Sequence, residues 1–67
     1  MTLDQYIQAQ GRGALTALAA KVGTSKGYLY EISKGLRRPS IEKAKAIEKA
    51  TGGQVPVLVL LGLARAA

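Results

Sequence analysis

A chain of 67 residues holds one small domain, and its 48% of hydrophobic residues exceeds what a disordered tail carries. Ten Lys/Arg against four Asp/Glu leave a formal net charge of +6, which points to an anionic partner, either nucleic acid or acidic lipid. No cysteine or histidine is present, which excludes a disulfide framework, a thiolate metal site and a histidine base.

The remaining acids, Asp4, Glu31, Glu42 and Glu48, form no ligand or paired-carboxylate pattern, so no enzyme, cofactor or metal is expected. The first residues lack the basic flank and apolar run of a signal peptide. The longest apolar stretch, 55–64, is interrupted by Pro56 and Gly62 and is far shorter than the roughly 20 residues of a membrane span. The expected setting is the cytoplasm, with no membrane partner.

Thr2 is a candidate N-cap for a first helix, in which Leu3, Tyr6 and Ile7 form an i, i+3, i+4 stripe. Gly11-Arg12-Gly13 ends it. A second helix over residues 14–22 turns Leu15, Leu18, Ala19 and Val22 to one face. After Gly23-Thr24, Ser25 caps a third helix reaching about Lys34, with Leu29 and Ile32 inward. Gly35 closes it, and Pro39 keeps the basic loop Leu36-Arg37-Arg38 out of helical torsions. Ser40 starts a fourth helix over about 41–50, with Ile41, Ala44, Ile47 and Ala50 facing the core. Gly52-Gly53 stops it. A last helix is expected from Pro56 to about Arg65; the β-branched Val55, Val57 and Val59 make a short strand the alternative. The expected fold is an all-α, compact bundle of about five short helices, a single domain over 1–67.

Residues 15–35 meet the local needs of two short helices that cross steeply. Ala19 is small where the helices approach, Gly23 tolerates positive φ in the turn, and Leu18, Val22, Leu29 and Ile32 close the core between them. This is the pattern of a helix-turn-helix. If the third helix enters a major groove, Lys26, Gly27, Tyr30 and Glu31 point away from the core, with Lys34 further along. Lys26 can donate to guanine O6 or N7, and Glu31 can accept from cytosine N4. Tyr28 and Tyr30 can pack on sugars or thymine methyls, Gly27 permits close backbone approach, and Ser25 can bond a phosphate besides capping. Thr16 on the second helix completes the candidate contacts. Residues 21–38 hold five positive charges against Glu31 alone, most of the chain's excess. Lys45 and Lys49, with Glu48, read more simply as solvated surface.

The stretch 15–35 with the following Arg37-Arg38-Pro39 resembles the helix-turn-helix of Cro and repressor proteins of lambdoid phages. Lys21-Val22-Gly23-Thr24-Ser25 is similar to the turn of the phage 434 repressor and Cro. The layout around Ala46 to Gly53 is similar to the YdaS regulators of prophages. The resemblance implies a DNA-binding repressor that acts as a dimer on an operator, in a bacterial or phage setting. Ser25, Lys26, Gly27 and Glu31 match the family's reading positions, and Arg37 and Arg38 lie where its chain passes the phosphate backbone. Leu15, Lys26 and Gly27 stand where the family usually has glutamines, and Leu15 removes a phosphate anchor. Segment 54–67 is the expected dimerisation element, through Val57, Leu58 and Leu61. The alternatives are an antitoxin-type regulator with a toxin partner, or a protein-interaction module using the apolar surface of 55–63.

Overall fold

Five short helices follow one another in the computed structural model, which describes residues 1–62. They are α1 (Leu3–Gln10), α2 (Ala14–Val22), α3 (Lys26–Ser33), α4 (Ile41–Ala50) and α5 (Val57–Leu60), and no strand occurs among the described residues. The protein is all-α.

Three helices begin on hydroxyl caps, because a side-chain oxygen there satisfies an N–H that the helix leaves without a partner. Thr2 Oγ1 accepts from the Gln5 N–H at 3.1 Å while Gln5 Oε1 accepts from the Thr2 N–H at 2.9 Å, a complete capping box. Ser25 and Ser40 each accept from the N–H three residues on, in Tyr28 at 3.1 Å and Lys43 at 3.2 Å. Between α2 and α3 the chain reverses at Gly23, whose left-handed torsions (φ 77°, ψ 38°) no β-carbon would favour. The N–H groups of Gly23 and Thr24 both donate to the Ala19 carbonyl, which closes the end of α2.

Leu3, Leu18, Ala19, Val22, Leu29, Ile32, Ala44, Ile47, Val55 and Leu60 form one core, with contributions from every helix. Helix α2 is central, packed against α1, α3 and α4, and α5 rests on α4. Among the described residues Thr51 is the buried polar side chain. Its Oγ1 donates to the Glu48 carbonyl at 3.0 Å and accepts from the buried Val55 N–H at 3.2 Å, so both groups are satisfied.

Two expectations need correction. Ile41 is 60% exposed instead of facing the core. The buried stripe of α4 runs through Ala44 and Ile47 to Thr51, and Ile41 falls on its margin at the helix's first position. Ala50 is partly buried and packs against the core as expected. The last helix is a single turn, Val57–Leu60, with Pro56 as its N-cap. Gly62 takes a left-handed φ of 72° and its N–H returns to the Val59 carbonyl, so the helix cannot run on through that residue. Leu63, Ala64 and Arg65, which the expected helix included, lie outside the described residues. The alternative strand is not formed: Glu48 Oε2 accepts from the Val57 N–H at 3.3 Å and caps the turn.

Candidate nucleic-acid interface

The inward face of α3 is set by Leu29 and Ile32, both buried against α2 with Leu18, Ala19 and Val22. At 100° per residue, burying those two turns Gly27, Tyr30, Glu31 and Lys34 outward as one ridge, with Lys26 beside its start. Ser25, Lys26 and Gly27 are exposed, and Tyr30 is half-exposed. A β-carbon placed on Gly27 would meet nothing within 4 Å. Packing inside the protein therefore does not demand glycine there, although glycine weakens a helix interior by about 0.5–1 kcal/mol relative to alanine.

The rest of the candidate set divides into two clusters along α3. In one, Arg37 Nε donates to Glu31 Oε1 at 2.7 Å, and the Arg37 guanidinium carbon stands 5.5 Å from the ring centre of the half-buried Tyr28. In the other, Lys34 Nζ donates to Asp4 Oδ1 at 3.2 Å and lies 5.8 Å from the ring centre of Tyr30. Arg38 stands apart from both. Its guanidinium lies against Gly62 at the end of α5, where a β-carbon would come within 3.2 Å of it. Thr16 is exposed in the first turn of α2. Asp4 carried no sequence signal for this site, since it meets Lys34 across 30 residues of chain.

A family model for the helix-turn-helix matches residues 10–58, from the last residue of α1 into α5. The chain belongs to the helix-turn-helix family. That makes it a DNA-binding regulator whose partner is double-stranded DNA, in a family that is not typically enzymatic. No curated protein and no solved structure matches it.

Within this helix-turn-helix protein, two of the five cations of residues 21–38 are already paired, Lys34 and Arg37. Both pairs are solvent-exposed, with side chains 35–53% accessible. Such pairs contribute about 0–1 kcal/mol to folding stability, so Lys34 can exchange Asp4 for another anion at little cost. Lys21 lies away from this ridge, beside Lys49 in a shallow depression between α2 and α4. Among the described residues no helix is long and apolar enough to cross a membrane.

Of the three candidate dimer residues, Leu58 is 55% exposed, while Val57 and Leu61 are half-buried against the core. Leu36, in the loop after α3, is 75% exposed and was not among the expected contacts.

Proposed function

We propose that the protein is a sequence-specific, Cro-like repressor of prophage type that reads the major groove of an operator with α3, in the cytoplasm of its host. The observation that carries this reading is the outward ridge of α3: exposed, basic at its start, and bearing a glycine that the fold itself does not need. Lys26 and Glu31 read base edges, and Gly27 admits the DNA backbone or a base edge close to the helix. Tyr30 on the ridge and Tyr28 beside it pack on sugars or thymine methyls. Thr16, Ser25, Lys34 and Arg38 serve phosphates, Lys34 by leaving Asp4 and Arg38 by swinging off Gly62. The prophage assignment rests on the resemblance of roughly residues 3–53 to Cro and YdaS regulators.

Fluorescence anisotropy of a labelled duplex, titrated at a series of salt concentrations, tests DNA binding. Three to five phosphate contacts give a log–log slope of about −3 to −5. A flat salt response, or no binding at low salt, removes the reading.

The protein acts as a homodimer, with the segment from 54 onward as the contact and two copies of α3 about 34 Å apart on successive groove turns. Exposed Leu58 supports this, as a leucine in water gains by being covered. Leu58→Asp leaves the monomer fold unchanged, because its charge stays hydrated there. In a dimer the same charge is buried without a partner, and self-association weakens by about 3 kcal/mol or more. Sedimentation equilibrium measures both chains. A wild-type chain that stays monomeric at high concentration without DNA contradicts the homodimer and leaves a different protein, such as a toxin, as the occupant of the exposed leucines.

A further inference from the structure

We infer that Arg37 is a positioning residue for base reading: it holds the Glu31 carboxylate in the orientation that meets a base edge, and is not an independent phosphate clamp. The inference rests on the reading of α3 as the DNA-facing helix and replaces the phosphate contact that the loop's position led one to expect of Arg37. A carboxylate on a DNA-facing ridge repels the phosphates of every duplex, whatever its sequence. Such a residue assists binding only if its charge is balanced and its oxygens find donors on particular bases.

The contacts of Arg37 supply that balance. Its Nε–H reaches Glu31 Oε1 at 2.7 Å, within the short range of charge-assisted hydrogen bonds. Its guanidinium also stands against the Tyr28 ring, with the central carbon 5.5 Å from the ring centre. Tyr28 and Glu31 are one turn apart on α3, so a single side chain from the following loop is tied to the helix at two points. A planar guanidinium fixed in this way fixes the carboxylate it binds. Oε2 of Glu31 has no partner among the described residues and remains able to accept from a cytosine amino group. The pair is more than 40% exposed on both sides, so it adds little to folding stability. Its effect lies in orientation before DNA arrives.

Enrichment of duplexes from a randomised pool distinguishes the two roles, using wild type, Arg37→Ala, Glu31→Gln and the double variant. Circular dichroism is expected to show all four folded. Arg37→Ala is expected to lose preference at the same base pairs as Glu31→Gln. On the preferred duplex it binds about tenfold more weakly, and on unselected DNA less than threefold more weakly. The double variant is expected to bind the preferred duplex no more weakly than the weaker single variant, since the two residues act as one unit. If Arg37→Ala weakens all duplexes by the same factor and keeps the wild-type preference, Arg37 is a backbone contact and the inference falls alone. If the wild type enriches no duplex at all, the reading of α3 falls with it.

Discussion

Leu29→Ala is expected to lower folding stability by about 2–5 kcal/mol, the range for removing a fully buried leucine. Leu29 has no exposed surface and sits where α3 packs on α2, so its loss opens a cavity inside the helix-turn-helix itself. A domain of this length commands only about 3–10 kcal/mol in total. The variant is therefore largely unfolded or melts some 10–30 °C below the wild type. Leu58→Ala is the matched control. That residue is 55% exposed, and the change is expected to stay within about 0.5 kcal/mol in the monomer. Thermal denaturation followed by circular dichroism at low protein concentration checks both. Equal melting temperatures for Leu29→Ala and the wild type contradict the core described here.

The division into helices is readable in the sequence because it is written in local chemistry. Thr2, Ser25 and Ser40 can each cap only a helix that begins beside them, and Gly23 takes the positive φ that the turn between α2 and α3 needs. The helix-turn-helix core follows from spacing alone, with Leu18, Ala19, Val22, Leu29 and Ile32 all buried. What escapes is decided by side-chain contacts between segments, which no helix period sets. Val55, in the loop between α4 and α5, is completely buried in the core, and its N–H finds the Thr51 hydroxyl there. Glu48 reads as one half of a lysine-rich surface, yet it caps α5 through the Val57 N–H. The valines of 55–59 gave no means of choosing between helix and strand without that contact and the Gly62 turn. At the candidate interface the outward set on α3 follows from the helix period. The partners Asp4 and Arg37 do not, since one comes from α1 and the other folds back past the end of α3.

Lys26→Ala is expected to weaken binding to the preferred duplex by about 1–3 kcal/mol, between roughly fivefold and more than a hundredfold. Lys26 is exposed at the first position of α3 and enters no ion pair among the described residues. Its ammonium is free to donate to guanine O6 or N7, and nothing inside the protein replaces that contact. The fold does not depend on it, because Ser25 caps the helix through the Tyr28 N–H and Leu29 anchors it. Loss of a phosphate contact would instead weaken all duplexes alike and reduce the salt slope by about one.

The claim that the start of α3 reads DNA is tested most directly by enriching a randomised duplex pool with the wild type and with Lys26→Ala, side by side. The account predicts a defined site for the wild type, and for the variant the same site with preference relaxed at one or two adjacent base pairs. An identical preference profile for both proteins would contradict base reading by Lys26: with affinity also unchanged the DNA lies against another face, and with all duplexes weakened alike Lys26 is a phosphate contact.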